Sequence, residues 1–439
     1  MMALTDTIYA LSSGGLPSGV AVIRISGGQT RQVLSTLCGG VPKVRTVALK
    51  SIRTRNENII DQGLVMFFPS PGSFTGEDVA ELQVHGGKAV VDAVLKELAA
   101  LDCRHAEAGE FSRRAFQNGK LDLVEIEGLA DLISAETEMQ RRLAIEHSTG
   151  HLSGLYENWA RRLTHARAMI EAELDFADED DVPGSVAETI WADMRELLRE
   201  IEDHLDGAPI AEIIRDGLNV VIAGAPNAGK SSLLNALAKR DVAIVTEVAG
   251  TTRDVLSVDL SLAGFNIKLH DTAGLRETED IIEREGIRRA RVVLERADLV
   301  LFLSDEPQGF AELARASAPI VRVGTKIDSN AHLWDKTSAD VLISANTGEG
   351  MDALVEQIAS HLPKLNSASN FSLPSRRRHV DCLREAGKAI SSSLAASEVG
   401  LDIQAEYLRI ASEALGRITG RVDVEDLLSV IFSEFCIGK

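Results

Sequence analysis

Asn219-Val-Val-Ile-Ala-Gly-Ala-Pro-Asn-Ala-Gly-Lys-Ser231 is the stretch that decides the fold of this chain. Its first five residues form an apolar run typical of a buried strand, and a helical pattern follows it. Residues 224–231 match the pattern G-x-x-x-x-G-K-[ST], in which glycines let backbone N–H groups turn around phosphate oxygens. Lys230 should then reach the β- and γ-phosphates, and Ser231 should bind Mg²⁺. The stretch therefore predicts a nucleotide-binding α/β unit.

Apolar runs of strand length recur after this loop and are separated by stretches long enough for helices. They lie at residues 267–270, 298–303, 320–323 and 341–343. Strands that alternate with helices predict a mostly parallel sheet between Leu218 and about Leu362.

The flanking segments have different patterns. Up to about residue 120, short strand-like runs such as 19–25 and 64–68 mix with helical stretches, and beyond it the apolar residues take helical spacing. The chain returns to helix after a polar linker at 366–369. We expect four segments: an α/β domain over 1–120, a helical domain in two parts over 121–209 and 366–439, and the nucleotide-binding unit inserted at 210–365.

Composition sets the class of protein. The chain has 439 residues, which predicts two to four domains, and 45% hydrophobic with 26% charged residues is typical of a globular protein in water. No apolar run approaches the length of a membrane span, and the N-terminus lacks a secretory pattern, so we expect a cytoplasmic protein without a membrane. Four widely spaced cysteines without a CxxC pair indicate reduced thiols, not disulfides or a zinc site.

The formal net charge of −20 argues against a surface that attracts nucleic acid as a whole, because such contacts depend on Lys and Arg. Any RNA contact must be local or shared with a partner. Residues 376–379, Arg-Arg-Arg-His, are one local candidate, although a solvated helix start explains them at least as well.

Further nucleotide-binding motifs follow the first loop in order. Thr252, in Gly250-Thr-Thr252, can add a hydroxyl to the Mg²⁺ shell, Asp271 can hold a metal-bound water, and the Gly274 N–H can sense the γ-phosphate. In Thr325-Lys-Ile-Asp328, the carboxylate can accept from N1–H and the exocyclic amine of guanine, a donor pair that adenine lacks. The expected nucleotide is therefore GTP.

Together these motifs resemble the translation-factor-related GTPases. Thr325 stands where that family usually has Asn, and Asn346 where it often has Lys. The predicted GTP-binding residues are Asn227, Ala228, Gly229, Lys230, Ser231, Ser232, Thr246, Glu247, Val248, Ala249, Gly250, Thr251, Thr252, Asp271, Thr272, Ala273, Gly274, Thr325, Lys326, Asp328, Ser344, Ala345 and Asn346.

Motifs outside the GTPase unit resemble a narrower family, the MnmE (TrmE) tRNA-modification GTPases of bacteria and organelles, over essentially the whole chain. They are Asp6-Thr-Ile-Tyr-Ala10, Val22-Ile-Arg-Ile-Ser-Gly27, Ser73-Phe-Thr-Gly-Glu-Asp-Val-Ala-Glu-Leu-Gln83, His85-Gly-Gly87, Gly109-Glu-Phe111, Asn118-Gly-Lys-Leu-Asp122 and Phe435-Cys-Ile-Gly-Lys439. The chain departs from the family in its first Gly-rich turn, residues 12–17, and at Ala108, where Pro is usual.

The resemblance implies a multidomain α/β plus α protein: a dimerising, folate-binding N-terminal α/β domain, a discontinuous helical domain and an inserted, Ras-like P-loop GTPase. It implies a homodimer that works with the FAD-containing flavoprotein MnmG on tRNA. The pair would add a carboxymethylaminomethyl or aminomethyl group at C5 of the wobble uridine, using a one-carbon unit from a tetrahydrofolate derivative (5-formyl- or methylene-tetrahydrofolate). Arg24, Glu81, Lys120 and Lys439 are the implied folate ligands.

The resemblance also addresses how water is activated, because Leu275 stands where some GTPases place a water-orienting glutamine. It implies K⁺ held by Asn227, Thr246, Val248 and Thr251, and a catalytic Glu283 acting through a bridging water. Cys436 is implied to act in tRNA modification, whereas a buried, apolar role is the better account from sequence alone.

Two classes of function remain open at this point. One is a modification enzyme, and the other is a GTP-driven, RNA-binding switch or ribosome-assembly factor without modification chemistry. The GTPase motifs fit both, and only the folate-like N-terminal segment and Cys436 favour the enzyme.

Overall fold

The computed structural model describes residues 6–175, 185–239, 243–244, 257–271, 297–312, 318–335, 338–364, 371–396, 400–422, 431–432 and 438. The chain divides into two compact units. The first comprises Met1–Ala130, His147–Leu198 and Glu385–Lys439, and the second comprises Asp131–Glu146 and Arg199–Arg384. The sequence-derived domain limits stay a prediction.

The first unit is built on a six-stranded sheet. Its strands are β1 (Ile8–Leu11), β2 (Ser18–Ser26), β3 (Ala48–Arg53), β4 (Ile59–Phe68), β5 (Val79–Gly86) and β6 (Arg104–His105). Their order is β3-β4-β5-β2-β1-β6, and all neighbours are antiparallel except β1 and β6.

Two helices cover one face of this sheet. They are α1 (Thr30–Cys38) and α2 (Lys88–Ala99), and their buried Leu34 and Val94 belong to the same core as Ile23 and Leu82 of the strands. Because side chains alternate along a strand, the opposite face of β3 and β4 carries residues of the other parity. There Leu49 is 70% and its cross-strand partner Leu64 38% exposed.

Helices make up most of the remaining chain outside the second sheet. They are α3 (Glu110–Gln117), α4 (Leu123–Ser134), α5 (Glu138–Ser148), α6 (His151–Asp175), α7 (Ser185–Asp206), α8 (Ala208–Asp216), α9 (Lys230–Ala238), α10 (Ile327–Asn330), α11 (Met351–Ala359), α12 (Arg377–Ala395) and α13 (Leu401–Thr419). Within the first unit, α6 packs against α13, although more than 200 residues separate them in sequence. The helical segments on either side of the insertion are therefore neighbours.

The second unit contains a seven-stranded sheet. Its strands are β7 (Leu218–Gly224), β8 (Ala243–Ile244), β9 (Ser257–Leu262), β10 (Phe265–Asp271), β11 (Leu299–Ser304), β12 (Ile320–Gly324) and β13 (Val341–Leu342). The order is β13-β12-β11-β7-β10-β9-β8, parallel from β13 to β10 and antiparallel in β10-β9-β8.

The mostly parallel sheet expected from the sequence is confirmed, and strands lie at all five predicted runs of this unit. The central strand β7 is buried on both faces, as a near-continuous apolar run in a parallel sheet should be. The apolar runs do not predict the antiparallel strands. The sequence of β9 is Ser-Val-Asp-Leu-Ser-Leu, which alternates polar and apolar residues and so contains no continuous apolar run.

Candidate functional site

The loop between β7 and α9 has the backbone geometry of a phosphate cradle. Gly224 has φ +141°, and a Cβ there would lie 2.2 Å from Leu303 O, so only glycine fits against β11. Asn227 and Gly229 also have positive φ, at 65° and 95°. Since α9 begins at Lys230, its first backbone N–H groups lack partners within the helix and can bind an anion.

Lys230 is folded into this loop. Its Nζ donates to Gly224 O at 2.9 Å and to Ala225 O at 2.8 Å, and only 8% of the residue is exposed. These bonds hold the ammonium group at the loop where phosphates would bind. Ser231 and Ser232, in the first turn of α9, are exposed, while Ala228 is buried.

Among the described residues, Asp271 and the segment from Thr325 to Asp328 lie at or after the carboxyl ends of strands in the same sheet. Strands β10, β11 and β12 run parallel to β7, and carboxyl ends of parallel strands meet at one edge. Asp271, the last residue of β10, pairs in register with Ile222 of β7.

Thr325, directly after β12, connects three of these segments. Its hydroxyl lies 2.8 Å from Ala228 O of the phosphate loop and 3.1 Å from Ser304 O at the end of β11, and its N–H also donates to Ser304 O. The residue is 4% exposed. The departure from the family's usual Asn therefore still leaves a side chain that bonds to the phosphate loop.

Asp328 lies on the exposed side of this edge, in α10. The buried Ser344 donates its hydroxyl to Asp328 Oδ1 at 2.7 Å. This hydrogen bond, with smaller contributions from Ser329 and the exposed Asn346, holds the pKa of Asp328 below its usual range. An ionised carboxylate is the form that guanine's two N–H donors require.

Lys326, between these two residues, has a left-handed backbone with φ 57°. Its Nζ donates to Asp305 Oδ2 at 2.9 Å. Sequence reasoning missed Asp305, which holds the Lys326 side chain beside the expected base site. In the segment that follows β13, Ser344 and Asn346 both bond to Asp328, and Ala345 lies between them in sequence.

Several predicted site residues lie outside the described residues. They are Thr246, Glu247, Val248, Ala249, Gly250, Thr251, Thr252, Thr272, Ala273, Gly274, Glu283, Cys436 and Lys439. The second Mg²⁺ ligand, most of the K⁺ cage and the catalytic glutamate therefore stay predictions.

A second cluster of predicted residues lies on the sheet of the first unit. Arg24 and Glu81 are cross-strand partners on β2 and β5, and the guanidinium donates to Glu81 Oε1 from Nε at 3.1 Å and from Nη2 at 3.0 Å. Both side chains stay about one-fifth exposed. The guanidinium also lies 5.5 Å from the ring centroid of Phe74 and 5.7 Å from that of Phe111.

The exposed Lys120 lies beside Gly76, in the loop that precedes β5. Its Cε lies 3.4 Å from the position of a Cβ on Gly76, and Asn118 Nδ2 donates to Thr75 O at 2.7 Å. The end of the chain approaches the neighbouring strand, because Ser12 Oγ donates to Gly438 O at 2.7 Å.

Sequence reasoning missed a buried ion network under this cluster. Glu110, 0% exposed, accepts from Arg104 at 2.6 and 3.0 Å and from Arg114 at 3.0 Å. Arg114, 1% exposed, also donates to Asp6 and Glu77. Asp6, Glu77 and Glu110 belong to three of the motifs that resemble the family, and all three bond to Arg114. These motif residues therefore have a structural role.

The suggested RNA contact at residues 376–379 is partly used inside the protein. Arg376 donates to Asp131 Oδ1 at 2.7 Å, with both side chains 19% exposed, and His379 is buried. Only Arg377 is fully exposed, at 94%. The structure favours a helix start over a basic patch.

The described residues contain no helix able to span a membrane and no cluster of His, Cys, Asp or Glu suited to a metal ion. Cys38, Cys103 and Cys382 are free and buried. Burial raises the pKa of Cys38 to about 12 and that of Cys103 to about 11, so neither is a reactive thiolate near neutral pH.

The chain is similar in sequence to known proteins over its whole length. Residues 7–120 match the family described as GTP-binding protein TrmE N-terminus, and residues 123–436 match the MnmE helical domain. The tRNA modification GTPase MnmE of Sinorhizobium medicae (strain WSM419) is 66% identical over 442 residues, and that of Rhizobium meliloti (strain 1021) is 65% identical over 441; each alignment covers 100% of both chains. A crystal structure of an Aquifex aeolicus Era variant bound to GDP and AlF4⁻ is 26% identical over 39% of this chain and 66% of that chain, with a TM-score of 0.27.

Proposed function

This chain belongs to the MnmE family of tRNA-modification GTPases, and on that premise we propose that it modifies the wobble uridine of tRNA as a homodimer together with the flavoprotein MnmG. The complex adds a carboxymethylaminomethyl or aminomethyl group at C5, with a tetrahydrofolate derivative as the one-carbon source and FAD on the partner. GTP hydrolysis by this chain drives the cycle.

The observation that carries the GTP-dependent part is the arrangement at the carboxyl edge of the second sheet. Lys230 is held in the phosphate loop, and Thr325 bonds that loop to the segment that carries Asp328. Mg²⁺ suits the hydroxyl of Ser231, since hard cations prefer oxygen ligands, and Thr252 would add a second hydroxyl. Bound Mg²⁺ supplies neutralisation of phosphate charge.

The donor set of the first unit supports the folate proposal. Both bonds from Arg24 end on Glu81 Oε1, which leaves Oε2 able to accept from the amidine-like face of a pterin. Arg24 and Lys120 can donate hydrogen bonds to anionic or carbonyl groups, and the half-buried ring of Phe74 lies beside Arg24. Lys439 follows Gly438, whose carbonyl is bonded at the end of β1.

The open sheet face supports the homodimer. Val47, just before β3, and the cross-strand pair Leu49 and Leu64, which together we call the open face, are 59%, 70% and 38% exposed, whereas α1 and α2 cover the other side of the sheet. Exposed apolar patches on a sheet are typical of protein contacts. A second copy of this chain is the proposed occupant.

The overall proposal is tested by nucleoside mass spectrometry of tRNA from a deletion strain complemented with this chain. We expect C5-modified wobble uridine to disappear on deletion and to return on complementation. Its unchanged presence in the deletion strain would favour the switch or assembly-factor hypothesis. Cys436→Ser is expected to suppress modification without altering GTP turnover, and an equal loss of folding stability would favour a packing role.

Folate binding is tested by calorimetry with 5-formyltetrahydrofolate. Glu81→Ala should abolish the binding heat while GTP hydrolysis stays intact, because the GTPase motifs lie in the other unit. Lys88→Ala, an exposed lysine of α2, is the matched control. Unchanged binding heats for the Glu81→Ala variant would show that the folate does not bind at Glu81.

Water activation is tested by GTPase rates in potassium and in sodium salts. Asn227→Ala should remove stimulation by K⁺, and Glu283→Ala should lower turnover by roughly 10²- to 10⁴-fold, typical of the loss of a general base, while GTP still binds. Equal rates of the unsubstituted protein in both salts contradict the K⁺ proposal, and near-normal turnover of the second variant contradicts the glutamate.

A further inference from the structure

The distribution of charge along the chain is strongly uneven. Residues 7–56 contain no Asp or Glu, although the whole chain has 66 of them in 439 residues. The same stretch contains Arg24, Arg31, Lys43, Arg45, Lys50, Arg53 and Arg55. A segment with only positive charges therefore exists within a protein of net charge −20.

Three of these cations are neutralised by carboxylates from elsewhere in the first unit. Arg24 pairs with Glu81 at 3.0 Å, and Arg31 pairs with Asp78 at 2.7 Å. In the same way, Arg55 pairs with Glu97 at 3.2 Å. These pairs neutralise three of the seven positive charges in residues 7–56.

The other four, Lys43, Arg45, Lys50 and Arg53, form what we call the basic edge. In the part of the chain that the structure describes, none of the four has a carboxylate within ion-pair distance. Two guanidinium groups are held by backbone carbonyls instead, Arg45 by Gly72 and Arg53 by Glu57. Such bonds orient a guanidinium but leave its charge uncompensated.

The fold places the basic edge along the rim of the sheet. Strand β3 is outermost, since only β4 pairs with it, and Lys50 and Arg53 lie about 10 Å apart along it at a rise of about 3.3 Å per residue. Lys43 and Arg45 are exposed in the loop that leads into β3, and Arg45 lies over the ring of Phe68. The four cations are thus spread along one edge of the sheet, with Lys50 and Arg53 on opposite faces of β3.

We infer that the basic edge binds the phosphate backbone of the tRNA substrate. The inference rests on the tRNA-modifying role of the family. A net charge of −20 repels RNA, so the protein's own contacts with tRNA require a local group of cations that carboxylates do not neutralise. Residues 41–55 contain no aromatic side chain for base stacking, and so the contact is with phosphates and is independent of base sequence.

The test measures binding of an unmodified tRNA transcript to the full-length protein over a series of salt concentrations. The triple variant Lys43→Gln, Lys50→Gln, Arg53→Gln removes three phosphate contacts. We expect affinity at ~0.1 M salt to fall about tenfold or more. The slope of log K against log salt should become shallower by about 0.7 to 0.9 per contact.

The matched control is Lys88→Gln with Lys96→Gln, which removes exposed lysines from α2 of the same unit and should leave affinity and slope unchanged. GTPase turnover and the mass by light scattering should be normal in both variants. Unchanged tRNA affinity in the triple variant overturns the inference, as does an equal loss in the control. Loss of binding to the flavoprotein or loss of the dimer, with tRNA affinity intact, assigns the basic edge to a protein contact instead. These outcomes are independent of the nucleoside mass spectrometry that tests the proposed function.

Discussion

At the scale of single residues, Thr325 is the position where the chain departs from its family yet retains a bond to the phosphate loop. Thr325→Val keeps the side-chain shape and removes the hydroxyl that bonds to Ala228 O and Ser304 O. A buried acceptor that loses its donor costs about 1 to 3 kcal/mol. We expect GDP affinity to fall about tenfold, since that corresponds to 1.4 kcal/mol.

Fluorescence titration with a labelled GDP measures this change. Thr325→Ser retains a hydroxyl and should restore most of the affinity. Normal affinity in the valine variant contradicts the bonding role, and loss of thermal stability without loss of affinity assigns Thr325 to folding alone.

Asp328 decides which base is accepted. Asp328→Asn should move the preference from GTP toward xanthosine triphosphate by tenfold or more, because the amide can donate to the C2 oxygen that replaces guanine's amine. Competition binding with both nucleotides measures the change. Glu349→Gln, an exposed carboxylate of the neighbouring loop, is the control and should keep the GTP preference. Retained GTP preference in Asp328→Asn would show that another group reads the base.

At the scale of elements, the first turn of α3 is held by its charge network. Glu110→Gln removes the anion that faces Arg104 and Arg114, and breaking a buried ion pair costs about 3 to 5 kcal/mol. Urea unfolding at pH 7 should show this loss. Glu107→Gln, whose side chain is 64% exposed, is the control and should cost less than about 1 kcal/mol. Similar stability of both variants would contradict the network's role.

The same variant has a predictable dependence on pH. Burial by itself would raise the pKa of Glu110, but hydrogen bonds from Arg104, the Glu107 N–H and Arg114 outweigh it and hold the pKa below its usual value. A lowered pKa in the folded state stabilises the protein above the unfolded pKa of about 4.3, and this contribution is lost as pH falls. The stability difference between Glu110→Gln and the unsubstituted protein should therefore shrink below about pH 4, whereas a difference independent of pH would exclude the charge as its cause.

At the scale of the whole molecule, the proposed homodimer depends on the open face. Leu49→Glu with Leu64→Glu places two like charges opposite each other on β3 and β4 and should give a monomer by light scattering. Leu333→Glu, in the second unit and 43% exposed, is the control and should leave the mass unchanged. An unchanged dimer in the double variant would place the contact elsewhere.

The sequence by itself determined the nucleotide-binding unit. Residues 219–231 contain a buried strand, a glycine loop and a helix start in consecutive positions, so local propensity and loop chemistry suffice to predict them. Parallel strands then bring their carboxyl ends to one edge, so the order of the strands predicts that the segment after β12, which carries Asp328, lies at the same edge as the phosphate loop.

Only the tertiary structure decided which charges meet. Glu110 and Arg114 are one turn apart on α3, but Asp6 and Glu77 come from distant parts of the chain, and nothing in the sequence indicates that they meet this pair. The same holds for the basic edge, because carboxylates beyond that stretch neutralise three of the seven cations in residues 7–56, whereas the other four have no such partner among the described residues. Local sequence determines which backbone conformation a segment prefers, whereas electrostatic pairing depends on distances between segments, which the packing of the folded chain alone sets.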